Sequence, residues 1–116
     1  MKIQWKIKRF NELLIAELYS VLQLRSEVFV VEQNCVYQDL DGKDEKALHL
    51  IGLFEGKIVA YARLFKPNDY FENASIGRVV IDQNYRDRKW GHEMMQQAIF
   101  GIQQYFGETK ITISAQ

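Results

Sequence analysis

The chain has 116 residues, which is enough for one domain and too few for two. Apolar residues make up 47% of the sequence, so it can bury a core and disorder is not expected. The 15 basic residues balance the 15 acidic ones, and a chain of zero net charge is not expected to bind nucleic acid or an anionic membrane. A single cysteine and the lack of a long apolar segment favour a cytoplasmic protein without a membrane span.

The first predicted elements are a strand and a long helix. Residues 3–8 alternate between apolar and polar side chains, which is typical of a half-buried strand. Asn11 is a candidate N-cap for a helix that fades near Val30. The apolar stripe of this helix recurs at helical spacing but contains one charged residue. The stripe comprises Leu14, Leu18, Leu22, Arg25 and Phe29.

The rest of the chain predicts four strands and a second helix. Residues 47–54 and 58–65 are apolar runs separated by a short turn, which indicates a hairpin. Residues 75–81 form the next predicted strand, residues 90–105 a helix and residues 110–114 a fifth strand. This order predicts a single domain of the α+β class, with a central, mostly antiparallel mixed sheet flanked by helices.

A basic loop precedes the second predicted helix. Residues 85–89 contain three basic side chains, and Gly91 lies in the first turn that follows. The free N–H groups and the positive dipole end of a helix bind phosphate, and a glycine lets a ligand approach the backbone closely. The loop therefore has two interpretations, a phosphate site or an ordinary solvated loop.

Three arginines interrupt apolar segments of the sequence. Arg25 lies in the helix stripe, and Arg63 and Arg78 lie within apolar strands. An unpaired charge in such a place is costly, so each arginine is expected to have a carboxylate or a ligand as its partner. Ion pairs that fix the loop after the first helix are one interpretation, and a pocket for an anionic substrate is the other. The candidate carboxylates are Asp41, Asp44 and Glu32.

The remaining reactive side chains give weaker signals. Residues 39–44 hold three aspartates, but their glycine is misplaced for a calcium loop, so no metal site is expected. His49 and His92 are expected to be structural. Cys35 has no activating partner in the sequence and is expected to be a buried, inert thiol.

Residues 86–91 resemble the signature of the GNAT acetyltransferases, which is Arg or Gln, two residues, Gly, one residue, then Gly or Ala. Arg86 and Gly91 match, whereas Lys89 stands where the middle glycine is expected and fits if its φ stays negative. The resemblance implies that the loop holds the pyrophosphate of coenzyme A (CoA) and that the fourth strand pairs with the pantetheine arm. The implied cofactor-binding residues are Val79, Val80, Ile81, Arg86, Asp87, Arg88, Lys89, Trp90, Gly91 and His92.

A second resemblance covers nearly the whole chain. Residues 24–33, 41–44 and 60–64 are similar, in the same order, to the ElaA-like branch of the GNAT proteins. The first helix is also similar to that of the acyl-homoserine lactone synthases, which share the fold. The matching charged residues in those synthases would be Arg25, Asp41, Asp44 and Arg63. If the arginines form a pocket, its substrate-binding residues would be Arg25, Arg63 and Arg78.

These resemblances imply a GNAT-like acyl-CoA N-acyltransferase fold and an acetyl-CoA-dependent N-acetyltransferase that acts on an amine of a small molecule or peptide. A backbone amide of the fourth strand, at Val79 or Val80, would contact the oxyanion, and Glu32 or Asp82 would be the base. The alternatives are an acyl-homoserine lactone synthase-like acyltransferase and a non-catalytic CoA-binding module.

The general acid of the resembling fold is commonly a tyrosine on a helix after the fifth strand. In this chain the fifth predicted strand ends two residues before Gln116. We therefore expect the domain of residues 1–116 to be truncated after that strand. An uncovered strand edge and apolar face favour association, so a homodimer or a poorly stable monomer with little turnover is expected.

Overall fold

The computed structural model describes residues 2–114 and contains two helices, five strands and short helical turns within them. The strands are β1 (Gln4–Arg9), β2 (Leu48–Phe54), β3 (Lys57–Phe65), β4 (Ala74–Ile81) and β5 (Ile111–Ile113). The helices are α1 (Ile15–Ser26), which continues as a π-helical turn (Glu27–Glu32), and α2 (Trp90–Phe106). Three-residue 3₁₀ turns occupy Phe10–Glu12 and Asp44–Lys46, and a six-residue 3₁₀ helix occupies Gln83–Arg88.

The five strands form one sheet in the order β1-β2-β3-β4-β5. The pairs from β1 to β4 are antiparallel, whereas β4 and β5 are parallel because α2 crosses between them. The predicted α+β class and the mostly antiparallel mixed sheet are confirmed. The expected truncation concerns the chain after Ser114 and lies outside the described residues. Within residues 2–114, neither helix is long and apolar enough to cross a bilayer.

The sheet is covered by one helix on each face. On one face, Met94 and Ile102 of α2 pack against a cluster that includes Leu50, Leu64 and Ile76. The other face is covered by α1 and its π-helical turn. The residues of that second cluster are Val21, Leu24, Val28, Phe29, Ile51, Ile58, Tyr61 and Val80.

The first helix begins later than the sequence predicted. Residues 10–12 form a separate 3₁₀ turn, and α1 starts at Ile15 rather than after Asn11. Leu14 has an extended backbone and is 65% exposed, so it does not belong to the buried stripe. The stripe that packs on the sheet follows the i, i+3, i+4 spacing from a different start. Its members are Val21, Leu24, Arg25, Val28 and Phe29.

The middle of β4 contains a β-bulge. The register pairs Tyr61 with Val80 and Arg63 with Gly77, so two residues of β4, Arg78 and Val79, stand opposite one residue of β3. The backbone of Arg78 has φ 49°, in the left-handed region. An extra residue reverses the alternation of side chains along a strand. As a result Val80 packs on the α1 side of the sheet.

The two parallel strands separate just before this bulge. β5 pairs with β4 at Ala74–Ile76, and the N–H of Ser114 donates to the Ile76 carbonyl at 2.9 Å. The pairing of β5 with β4 ends at Ile76. Among residues 2–114, no strand pairs with the second half of β4 on this side, and we call this its open edge.

Candidate active site

The open half of β4 forms the floor of a groove of about 510 Å³ between the end of the first helix and the start of α2. The groove brings together six residues that the sequence singled out: Glu32, Val79, Val80, Ile81, Arg86 and Gly91. The remaining lining comes mainly from apolar side chains of both helices. These are Val28, Phe29, Met94 and Met95, with the polar Gln33 beside them.

The backbone of β4 presents two peptide groups at the open edge. The N–H of Asp82 donates to the Val59 carbonyl of β3 at 2.8 Å. Since peptide groups alternate in direction along a strand, that of Val80 also points to β3, and those of Val79 and Ile81 point away from it. The Ile81 carbonyl indeed accepts a hydrogen bond from Arg86 Nε at 3.0 Å on that side. Of the two oxyanion candidates, this alternation favours Val79 as the one whose N–H faces the groove.

Arg86 and Glu32 are joined to each other across the groove. Arg86 donates to both carboxylate oxygens of Glu32, with 2.8 Å between Nη2 and Oε1. These hydrogen bonds from Arg86 lower the pKa of Glu32 from its ordinary value. Glu32 is thus a partner of Arg86, in the loop before α2. A lowered pKa also makes its carboxylate a weaker base.

Asp82, the other candidate base, lies at the end of β4 outside this groove. Its carboxylate accepts a hydrogen bond from the N–H of Asn84 at 3.0 Å and is 3.6 Å from Lys57 Nζ. It lines a separate groove between α1 and the β2–β3 turn. The structure therefore gives Asp82 a local capping contact at the turn that follows β4.

The three basic side chains of the loop before α2 lie in different surroundings, although the resemblance implied that all three bind the cofactor. The guanidinium of Arg88 lies over the rings of Phe54, Tyr85 and Trp90, at 4.7, 5.4 and 5.8 Å from their centroids. Asp87, Lys89 and His92 are exposed. Of the loop's basic residues, only Arg86 lines the groove.

Lys89 has a left-handed backbone, with φ 61° and ψ 37°, at the N-cap of α2. The condition under which lysine would fit the signature, a negative φ, is therefore not met. This conformation is one that glycine adopts freely and that costs other residues about 1–2 kcal/mol. The GNAT signature has glycine at this position, and the left-handed backbone at Lys89 is a conformation that favours glycine.

Substitution of Lys89 by glycine and by alanine tests this strain. Both changes remove the same side chain, but only glycine relieves the left-handed conformation. We expect Lys89→Gly to be more stable than Lys89→Ala by about 1 kcal/mol in urea unfolding. At Lys110, which is not among the residues with positive φ, the same pair should have the opposite order. Equal stability of the two Lys89 variants would contradict the assignment.

The three interrupting arginines meet in one buried ionic cluster. Arg25 is fully buried and donates to Asp39 at 2.8 Å and to Asp44 at 2.7 Å, which confirms the expectation that it has carboxylate partners. Arg63 donates to Asp41 and Asp44, at 2.7 and 3.0 Å. The third arginine, Arg78, is also buried within this cluster. The contacts favour the ion-pair interpretation over an anionic-substrate pocket.

Asp39 is the member of this cluster that sequence reasoning missed. In the sequence it belongs only to a poor calcium pattern, yet its carboxylate accepts from Arg25 and from Arg78, both at 2.8 Å. Its carbonyl also accepts from Arg78 Nη2 at 2.9 Å. Within residues 2–114, no group of three or more side chains could hold a metal ion. The aspartates of the loop are occupied by guanidinium groups.

His49 and Tyr61 form a polar pair next to the cluster. His49 is buried, with Nδ1 2.6 Å from the hydroxyl of Tyr61 and Nε2 2.9 Å from the Asp44 carbonyl. Since a carbonyl only accepts, Nε2 carries the proton and Tyr61 donates to Nδ1. Burial lowers the pKa of His49 and keeps its ring neutral.

Cys35 is exposed, so its predicted burial is wrong.

The cluster predicts a loss of stability in acid. Partial burial alone would raise the pKa of Asp41, but hydrogen bonds from Arg63 and the Lys43 N–H lower it to about 2. A carboxyl whose pKa is lowered on folding stabilises the protein fully above its unfolded pKa of about 4 and loses this effect as the pH falls toward 2. We expect the free energy of unfolding, from urea titrations between pH 5 and 2, to fall less steeply in Asp41→Asn. Parallel pH curves would contradict this.

Comparisons with known proteins agree with this geometry. The model of the Acetyltransferase (GNAT) family matches residues 12–115. Protein ElaA of Escherichia coli (strain K12) is 38% identical over 116 residues, which cover 98% of this chain and 76% of ElaA. The UPF0039 protein C11D3.02c of Schizosaccharomyces pombe is 40% identical over 109 residues, covering 93% of this chain and 71% of that protein.

Solved structures give the same result. The crystal structure of an acyl-CoA N-acyltransferase from Pseudomonas aeruginosa superposes with a TM-score of 0.92 and 38% identity, covering 99% of this chain and 80% of that one. For Escherichia coli ElaA the TM-score is 0.91, again with 38% identity, and the coverage is 99% and 79%. The likeness therefore includes β4, the loop after it and α2.

Proposed function

This chain belongs to the GNAT acetyltransferase family, and from that premise we propose that it transfers the acetyl group of acetyl-CoA to an amine of a small molecule or peptide. The observation that carries the proposal is the open edge of β4, where the Val79 and Ile81 peptide groups face a groove that reaches the start of α2. A pantetheine arm has amide groups that can pair with such an edge. The partly apolar groove would exclude water around it.

The phosphate end of the donor is assigned to the start of α2. The first N–H groups of a helix have no partner within the helix and lie at its positive end. Gly91 in this first turn lines the groove, and a Cβ added there would meet no atom closer than 4.0 Å. A phosphate can therefore approach the backbone at this point, and Arg86 lies beside it.

The transfer step requires a neutral amine, since a typical alkylamine has a pKa of about 10. The amine nitrogen attacks the thioester carbonyl, the new C–N bond forms, and the carbonyl oxygen becomes an oxyanion. The N–H of Val79 is the proposed donor to that oxyanion. When the C–S bond breaks, the CoA thiolate takes up a proton and the nitrogen loses one.

A phosphate-binding role for Arg86 conflicts with a role for Glu32 as the base. If Arg86 binds phosphate, the carboxylate that holds Arg86 lies at the phosphate end, and the pantetheine arm separates it from the thioester. We therefore assign Glu32 to orienting Arg86. Glu32→Gln should change the affinity for CoA but leave kcat at saturating acetyl-CoA within about threefold, whereas loss of a general base costs about 100-fold or more.

The direct test combines binding with turnover. Calorimetric titration with CoA should give a single site, and dephospho-CoA and pantetheine should show how much of the affinity comes from the phosphates. Thiol release from acetyl-CoA is then measured across small amines and peptides with free N-termini or lysines. Absence of CoA binding would refute the proposal, and binding without turnover on any amine would favour a CoA-binding module instead.

A further inference from the structure

We propose that Asp39 and Arg78 form a positioning pair that holds the β4 bulge in the shape needed to direct the Val79 N–H into the groove. The inference rests on the proposed function for its catalytic meaning. The pair itself is defined by contacts of the free protein. Neither residue is among the groups proposed to contact the reacting atoms, so both act through the backbone.

The bulge contains a residue type that its backbone conformation does not favour. A bulge residue with positive φ is usually glycine, because a Cβ strains the left-handed conformation. Here that position is Arg78, with φ 49°, although Gly77 stands directly before it. Something outside the strand must therefore favour the arginine in this conformation.

Contacts of the Arg78 side chain stabilise this backbone conformation. Its Nε donates to the Asp39 carboxylate at 2.8 Å, its Nη2 donates to the Asp39 carbonyl at 2.9 Å, and Asp41 lies 3.6 Å away. The side chains of Arg78 and Asp39 are 7% and 9% exposed. Charge-assisted hydrogen bonds in such a dry place are strong and directional. They hold the guanidinium through Nε and Nη2 and thereby restrain the backbone of Arg78.

Asp39 is itself held from the opposite side. Its second carboxylate oxygen accepts from Arg25 Nε at 2.8 Å, and Arg25 is a fully buried residue of α1. The chain of contacts therefore runs from α1 through Asp39 to the bulge. Asp39 lies on the loop after the first helix, so a displacement of that loop would be transmitted to β4.

The position of the bulge decides the direction of the neighbouring peptide groups. Without the extra residue, the alternation would place Val80 on the α2 side and turn the N–H of Val79 toward β3. Displacements of about 1 Å of a catalytic group can cost about 100-fold in rate. The pair is thus expected to affect kcat more than the binding of CoA phosphates at the far end of the groove.

Two substitutions at one position separate this role from simple charge pairing. Arg78→Ala removes the ion pair and keeps the strain, whereas Arg78→Gly removes the ion pair and the strain together. If the pair holds the bulge, the alanine variant should show displaced ¹H–¹⁵N resonances at Val79 and Val80 and at least tenfold lower kcat. The glycine variant should recover the wild-type resonances and a kcat within about threefold of wild type.

A variant in the core controls for general loss of stability. Ile102→Ala, in the core far along α2, lowers stability without touching the bulge and should leave kcat and both resonances unchanged. Should Arg78→Ala fail to fold, Asp39→Asn tests the same displacement, and Asp39→Asn with Arg78→Gly tests its rescue. Equal loss in the alanine and glycine variants, or unchanged resonances in both, would overturn the inference. The resonances report on the pair even if the wild type acetylates no amine, so the two proposals fail separately.

Discussion

Replacement of Arg25 by alanine is expected to lower the free energy of unfolding by about 3 kcal/mol, because it leaves buried carboxylates without their partner. Arg25 has no exposed surface and bridges Asp39 and Asp44, at 2.8 and 2.7 Å. Its guanidinium also lies 5.7 Å from the centroid of the Tyr61 ring, so packing is lost together with charge. Urea unfolding followed by circular dichroism measures the change.

The matched control for this experiment is Arg9→Ala. Arg9 is exposed at the end of β1, and its guanidinium lies 5.5 Å from the Tyr105 centroid. Its backbone N–H donates to Glu12, a contact that alanine keeps. Its loss should cost no more than about 0.5 kcal/mol. If Arg25→Ala were as mild as this control, the buried cluster would contribute nothing measurable to stability.

The double replacement of Arg86 and Arg88 by alanine is expected to weaken CoA binding by about 10- to 100-fold, since charge-assisted hydrogen bonds to phosphate contribute about 1.5–3 kcal/mol each. Arg86 already lies in the groove beside the start of α2. Arg88 lies over three aromatic rings, so it must leave them to reach a phosphate and should account for the smaller part. Without Arg86, the carboxylate of Glu32 would also repel the ligand.

Salt dependence identifies the origin of this loss. Titrations of the double variant with CoA at rising ionic strength should show a shallower fall in affinity than those of the wild type. Lys2→Ala with Lys46→Ala removes the same net charge at exposed positions away from the groove and should bind CoA normally. An unchanged affinity in the folded Arg86 and Arg88 variant would remove this loop from the proposed donor site.

The sequence alone determined the order of elements, the sheet type and the places where charge enters the core. Those properties follow from local periodicity, which is set by neighbours along the chain. The same reasoning showed that Arg25, Arg63 and Arg78 needed partners, because burial of a charge is costly in any fold. It could not identify Asp39, since three aspartates within six residues look alike until the loop has a path.

The tertiary structure decided the site. The side-chain types of Lys89 and Arg78 do not indicate a positive φ, and the contacts of Arg78 are to Asp39, 39 positions away. The choice of Val79 over Val80 depends on a register shift between β3 and β4, and the pairing of Arg86 with Glu32 joins residues 54 positions apart. Local sequence fixes which residues can form a helix or a strand, whereas the direction of a peptide group or guanidinium is set by packing that only the folded chain contains.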